Sequence, residues 1–382
     1  MFYAGFVSSN LSPSPEALKH GHRVAILRDG GEAYPRMLEA IRGARDSVLL
    51  EMYIFADDAV GRKFGDALVE RAKAGVDVRL LYDAGGSRDT PRDFFGELRA
   101  GGVKVVEFHP LARFYQGFGL RRRNHRKLLV VDGRVAQLGG INIARDYESV
   151  EEGGLGWRDT NVEIEGPAVR ELADMFLDLW ARERKADPVP ARRPPVTASA
   201  GARALVLSSH RYRDRWEIAQ HYRHAVVNAR ARIWIANAYF LPSASFRRAL
   251  RKADRRGVDV RLIVPGRSDF APVLYASQRL FGGYLRSGIR VYEWPGQMMH
   301  AKTAVVDGEW STVGSYNIDH LSLLHNYELT AVVVDRDFGR RMEEMYERDF
   351  AECREITLEE WRKRGWKRRM CEWFFYQFRT LF

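Results

Sequence analysis

Apolar and polar residues alternate with two different periods along this chain. Between Glu32 and Ala44 the apolar positions 37, 38, 41 and 44 recur at helical spacing, and Ser47 to Phe55 follows as a dense β-prone run. A second helical stretch over about 60–74 closes at Gly75, and Val76 to Tyr82 reads as the next strand. Alternation of strand and helix in this order predicts a largely parallel sheet covered by helices.

The same order returns later. Ile233 to Phe240 reads as a strand and 245–256 as a helix, and Gly257-Val258-Asp259-Val260-Arg261-Leu262 repeats Gly75-Val76-Asp77-Val78-Arg79-Leu80 after 182 residues. Leu98 to Val106 is likewise repeated by Leu285 to Val291, in each case a helix end, a glycine and a strand. Between the copies, Pro188, Pro190, Pro194 and Pro195 with small residues sustain neither helix nor sheet. The expected organisation is a lead segment 1–22, a first domain 23–186, a linker 187–203, a second domain 204–350 and a tail 351–382. The fold class expected is α/β: two duplicated domains, each a mixed, mainly parallel sheet flanked by helices, related by pseudo-two-fold symmetry.

One short stretch carries chemistry. In His125-Arg126-Lys127-Leu128-Leu129-Val130-Val131-Asp132 the apolar run reads as a strand, and Asp132-Gly133 as the turn of a hairpin that returns to Leu138. Residues two apart share a strand face, so the His125 imidazole and the Lys127 ammonium point the same way. Gly139-Gly140-Ile141-Asn142 brings an amide to the far end, a set suited to an anionic oxygen such as phosphate. A single H-x-K could be no more than two solvated polar residues at a strand end. A second copy removes that option: His300-Ala301-Lys302-Thr303-Ala304-Val305-Val306-Asp307 lies 175 residues on, followed by Gly308 and Gly314-Ser315-Tyr316-Asn317. A site that needs both copies lies at the interface between the halves.

With both motifs in view, the chain resembles the phospholipase D superfamily, whose signature is H-x-K-x-x-x-x-D twice in one chain. Within it the chain is most similar to short bacterial cardiolipin synthases over residues 22 to 350. It departs from the long, membrane-spanning kind, which carry D-x-R-S where this chain has Asp319-His320-Leu321-Ser322. The resemblance implies two phospholipase D-like domains and a phosphatidyltransferase working through a covalent phosphohistidine, with no cofactor and no metal. His125 is then the nucleophile and His300 the acid and base, although pseudo-symmetry leaves the two roles formally exchangeable. Lys127 and Lys302, with Asn142, Asn317 and the Ser315 hydroxyl, would grip the phosphoryl oxygens. A carboxylate follows each asparagine to orient a histidine: Asp159 in the first copy and Glu328 in the second. Asp132 and Asp307 complete the catalytic motif, and their turn positions also suit a structural role. A phospholipase D hydrolase or an endonuclease of the same superfamily is the alternative activity.

Composition narrows the partners. Cys353 and Cys371 are the only cysteines, which excludes a disulfide framework and a C-x-x-C metal pair and suggests a reducing compartment. The first fifteen residues do not read as a signal peptide, and no run approaches the ~18 apolar residues of a membrane span. The net charge of +11 predicts an anionic partner. Residues 361–382 hold seven Lys/Arg against one acid, more than half of that excess. Trp361, Trp366, Met370, Trp373 and Phe374 fall on one side of a helix there and basic residues on the other, the pattern of an interfacial membrane helix. Trp361, Trp366, Arg368 and Trp373 are the expected membrane-binding residues. The expected location is the cytoplasmic face of the membrane, peripherally attached. Expected partners are anionic phospholipid (phosphatidylglycerol, cardiolipin) and a glycerol or phospholipid acceptor, with no nucleic acid. Arg113 to Arg123, aromatic and basic just before His125, is the expected rim for acyl chains and headgroups.

Overall fold

The computed structural model describes residues 18–110, 122–184, 201–209 and 214–382. The first half runs β1 (Lys19–Arg28), α1 (Asp29–Arg42), β2 (Ser47–Met52), α2 (Ala59–Lys73), β3 (Asp77–Asp83), α3 (Arg92–Ala100), β4 (Lys104–Phe108), β5 (Leu128–Val131), β6 (Val135–Gly139), β7 (Thr160–Glu165) and α4 (Pro167–Arg184). The second repeats it as β8 (Ala202–Ser208), α5 (Glu217–Asn228), β9 (Arg232–Asn237), α6 (Ala244–Arg255), β10 (Asp259–Pro265), α7 (Ala271–Leu285), β11 (Arg290–Trp294), β12 (Lys302–Val306) and β13 (Trp310–Gly314). A short α8 (His320–Leu324) intervenes before β14 (Leu329–Val334) and α9 (Arg336–Glu352). Beyond the repeat come β15 (Arg354–Ile356), α10 (Leu358–Lys363) and α11 (Trp366–Gln377).

The fifteen strands of the described residues form one sheet in the order β15-β11-β10-β9-β12-β13-β14-β8-β1-β7-β6-β5-β2-β3-β4. Reading outward from the β1–β8 junction, each half lays down its strands in the same order. The sheet is mixed, as expected, but it is not mainly parallel. Among the described strands, parallel pairing is found within β2-β3-β4 and β9-β10-β11, sheet neighbours that successive crossover helices connect. The hairpins and the central junction are antiparallel. β1 starts at Lys19, inside the expected lead, and β8 at Ala202, inside the expected linker; the rest of the linker and most of the Arg113–Arg123 rim lie outside the described residues.

Alternation along the strands divides the core. Val48, Leu50 and Met52 of β2 join α1, α2 and α3 on one face, while Leu49 points into a cluster on the other face that spans both halves. That shared cluster holds α4 and α9, and α4 reaches β8 while α9 reaches β1. The halves are thus joined by a common core as well as a common sheet.

The two motif aspartates sit at equivalent turns. Asp132 and Gly133 both have positive φ (52° and 62°), as do Asp307 and Gly308 (54° and 63°), the twist that closes a tight antiparallel hairpin. The Asp132 carboxylate accepts from the backbone N–H of Arg45, Asp46 and Ser47 at 3.0, 2.8 and 2.8 Å. Asp307 accepts likewise from Arg230, Ala231 and Arg232. Their inclusion among the catalytic residues is therefore corrected: each carboxylate lies at the end of the strand remote from its lysine, on the order of 15 Å away at ~3.3 Å per residue.

The tail also departs from expectation. It is two helices broken at Arg364-Gly365, not one. Trp361 is buried against Phe281 at 5.2 Å, so it belongs to the core and not to a membrane face. Arg368 is exposed, with its guanidinium over the Trp361 ring and 3.8 Å from the buried Glu372 carboxylate. α11 packs along α7 with Trp366 and Trp373 left exposed.

Asp132→Ala strips three backbone donors of their acceptor. It is expected to lower unfolding stability by about 2 kcal/mol, while the folded fraction keeps its turnover; a loss of turnover in a protein of unchanged denaturation midpoint would restore a catalytic role.

Candidate active site

The two histidines are placed by backbone pairing between the halves. The segment before β5 runs beside the segment before β14: His125 N–H donates to the Tyr327 carbonyl at 2.9 Å, and Tyr327 N–H to the Arg123 carbonyl at 2.8 Å. The equivalent segment before β12 runs beside the one before β7, His300 N–H donating to the Arg158 carbonyl at 2.7 Å and Arg158 N–H to the Met298 carbonyl at 3.0 Å. Each H-x-K therefore abuts the acidic segment of the opposite half.

The carboxylate partners are accordingly exchanged. His125 Nδ1 lies 3.0 Å from a Glu328 oxygen, and His300 Nδ1 lies 2.7 Å from Asp159 Oδ2. Asp159 and Glu328 both meet a histidine, but each meets that of the other copy. With Nδ1 engaged, each imidazole has only Nε2 left for chemistry. Lys127 and Lys302 each donate to the carbonyl of the histidine two residues back, Lys127 at 2.7 Å.

The surroundings of the two histidines differ. Glu328 also accepts from the hydroxyls of Ser315 and Ser322. Ser315 is thus engaged by the carboxylate, and so is not free to grip phosphate. In the first half Gly140 stands where Ser315 would be, and a Cβ there would come within 2.2 Å of Asp159, which fills that space itself. Tyr147 takes the place of Ser322, 175 residues apart like the motifs; its phenol lies 3.2 Å from His300 Nδ1 and accepts from Asn142 Nδ2 at 2.7 Å. The Asn142 oxygen accepts from Ile54 N–H, so Asn142 is an internal brace and not a phosphate ligand. Asn317, in contrast, is buried with its side-chain oxygen unmatched by any donor among the described residues.

Aromatic rings close the site. Tyr53 stands edge-on to His125 at 5.0 Å with the Lys127 ammonium 5.0 Å over its ring, and Tyr147 and Trp157 flank His300 at 5.5 and 6.0 Å. Pattern reading missed Tyr53, Tyr147 and Ser322; laying one repeat over the other would have paired Tyr147 with Ser322. Beneath His125, buried Arg126 lies 3.8 Å from Glu51, and Glu51 accepts from Asn124 at 2.7 Å.

Burial and like charge set the electrostatics. Burial, then the facing Lys302, holds Lys127 well below the ordinary lysine range, and burial lowers Lys302 to about 8. Burial and both ammonium groups keep His300 well below the usual histidine value, and burial lowers His125. Burial raises Asp159 to about 6. Glu328 stays below the usual glutamate value: burial pushes it up, but His125, Ser315 and Lys127 outweigh that. Both ammonium groups act on both histidines, and Lys302 acts on Lys127. Two desolvated ammonium groups beside two neutral Nε2 atoms form a receptor for a phosphoryl group.

Fold and site together define an enzyme of the phospholipase D class. The family profile described as "Cardiolipin synthase, PLD-like domain" matches residues 37–180 and 222–350, and the chain belongs to that family. Cardiolipin synthase A of Pseudomonas aeruginosa is 37% identical over 340 residues, 89% of this chain and 69% of the relative. Cardiolipin synthase of Geobacillus thermodenitrificans is 34% identical over 354 residues, 92% and 70% of the two chains. The crystal structure of phosphatidylserine synthase from Haemophilus influenzae superposes with a TM-score of 0.72 at 13% identity, covering 94% of this chain and 93% of that one, which shows the shared fold. The protein is a phosphatidyltransferase of the phospholipase D superfamily.

An anion in this site should hold the lysines protonated. Sulfate, which does not itself titrate near neutrality, is expected to bind with no proton taken up by Lys302 well below pH 8 and with uptake of one proton above it, its affinity falling about tenfold per pH unit above Lys302's value near 8. Lys302→Arg removes that group's titration and should flatten the fall; calorimetry across pH checks both, and an affinity independent of pH would refute the assignment.

Proposed function

We propose that the protein moves a phosphatidyl group from one phospholipid, such as phosphatidylglycerol, to the hydroxyl of a second phospholipid or of glycerol, through a phosphohistidine on His125. The exchanged histidine–carboxylate pairs carry this reading. Glu328, ionised and bonded by His125, Ser315 and Ser322, fixes Nδ1–H of His125 and leaves an Nε2 lone pair for attack on phosphorus. The bond from phosphorus to the departing alkoxide breaks as the N–P bond forms. His300 gives its Nε2 proton to that oxygen. In the second half of the cycle the acceptor hydroxyl attacks phosphorus, its proton passes to His300 Nε2, and the N–P bond breaks to free His125.

The resting site keeps His300 neutral, so the proton it donates must be stabilised by the substrate. A phosphodiester anion between Lys127 and Lys302 offsets the two charges that depress His300, and Asp159 accepts the Nδ1–H of the imidazolium. Lys127, Lys302 and the side-chain N–H of Asn317 hold the non-bridging oxygens. The Tyr53, Tyr147 and Trp157 rings favour transfer over hydrolysis by limiting water at the phosphorus. The ammonium groups do the work of a metal and would repel a divalent cation.

His300→Asn should let a labelled phospholipid accumulate as a base-stable, acid-labile adduct on His125. Mapping of the adduct to His300 in the reciprocal variant would reverse the roles, and failure to trap any adduct would refute covalent transfer.

Purified protein with phosphatidylglycerol vesicles should yield cardiolipin and glycerol by mass, undiminished by exhaustive chelation. Phosphatidic acid as the sole product would make it a hydrolase, and cleavage of DNA without lipid turnover would make it a nuclease.

A further inference from the structure

The orientation of α11 is set from its inner side. Glu372 is fully buried and bonded by Arg364 Nε and Nη2 at 2.9 Å each, and Phe375 stacks on Tyr275 of α7 at 5.8 Å. A docked helix normally turns a polar face outward. This one turns out Trp366, Met370, Trp373, Phe374, and beyond its end Phe378 and Leu381, each between 41% and 64% exposed. Their spacing is helical, so they form one contiguous apolar stripe.

The stripe leads toward the active site. Phe382, which follows Leu381, meets Phe270 at 5.7 Å, itself 45% exposed. Phe270 adjoins Asp269, which accepts from the Tyr239 hydroxyl at 2.5 Å and raises Lys302 electrostatically. The Phe382 carbonyl also accepts from His320 and Leu321 N–H at 2.9 and 3.0 Å, at the start of α8, whose Ser322 holds Glu328. Cations border the same face. Arg362, Lys367, Arg369 and Arg279 are exposed with no ion pair among the described residues, and a cleft of about 380 Å³ between α7 and α11 is lined by Arg279, Arg369 and the Arg364–Glu372 pair beside Trp366, Met370 and Trp373.

We infer that the outer face of α11 is a seat on an anionic phospholipid bilayer: the aromatic stripe enters the interface, the α7–α11 cleft receives headgroup phosphates, and the Phe270 end sets the catalytic site at the surface. Aromatic residues between unpaired cations match an interface that is apolar below and negatively charged above. A second copy of the chain fits less well, because a two-fold contact through this stripe would set the same cations against one another. The seat rests on the lipid-transfer reading for its purpose but not for its test.

The test is sedimentation of the full chain with vesicles of equal parts phosphatidylglycerol and phosphatidylcholine. Trp366→Ser/Trp373→Ser and Lys367→Glu/Arg369→Glu should each weaken binding at least about tenfold with unchanged melting, since all four side chains are exposed. Added salt should weaken the native protein, and turnover on vesicles should fall relative to turnover on dispersed short-chain lipid. Unchanged vesicle binding in both double variants, or equal binding to pure phosphatidylcholine, overturns the seat. So does loss of a dimer in the tryptophan variant with vesicle binding intact, which would make the stripe a contact between copies. Binding without any lipid turnover would refute the transfer reading and leave the seat standing.

Discussion

The site depends on one constraint, the exchange of partners between the two halves. His125 is braced by Glu328 from the second copy and His300 by Asp159 from the first. Neither half by itself holds a complete histidine–carboxylate pair. The exchange is enforced well away from the imidazoles, by the backbone bonds His125 to Tyr327 and His300 to Arg158 and by a core cluster to which both halves contribute. The continuous sheet through β1 and β8 makes the interface rigid, so two neutral imidazoles and two ammonium groups can be held close despite their mutual repulsion.

Within that symmetric frame, small substitutions separate the two histidines. Ser315 against Gly140 and Ser322 against Tyr147 give Glu328 two hydroxyl donors and leave Asp159 with none from those positions. The longer glutamate reaches its histidine with two serines around it, and the shorter aspartate fills the space left by a glycine. One carboxylate is held ionised and the other is raised to about 6. A duplicated scaffold thereby acquires unequal acid–base properties without a change in backbone plan, which is what a reaction with a nucleophile and a separate proton carrier needs.

The C-terminal elements extend the fold in a different way. β15 adds an edge strand beside β11, α10 buries Trp361 in the second-half core, and Arg364 fixes Glu372 beneath α11. Those inner contacts supply what a docked helix needs. The aromatic outer face is therefore in excess of what packing requires, and the unpaired cations beside it point the same way.

The sequence by itself determined the duplication, the α/β class and the presence of His125, Lys127, His300 and Lys302, because each depends on local spacing: a strand shows alternate residues on one face wherever it sits. Asp159 and Glu328 came as carboxylates through the family resemblance. What the sequence left to the tertiary structure was pairing across distance. His125 and Glu328 are 203 residues apart and His300 and Asp159 are 141, and no local period says which meets which. The same limit explains where the structure departs from the sequence pattern. Ser315 and Asn142 look like free ligands until Glu328, Tyr147 and Ile54 are seen to engage them, and Asp132 looks catalytic until the N–H groups of residues 45–47 are found on it. Trp361 falls on the membrane side of a continuous helix, but a break at Gly365 separates it from Trp366 and turns it into the core. The sheet is less parallel than the sequence predicts because crossover helices are visible in a sequence, whereas the antiparallel centre is made where the copies meet.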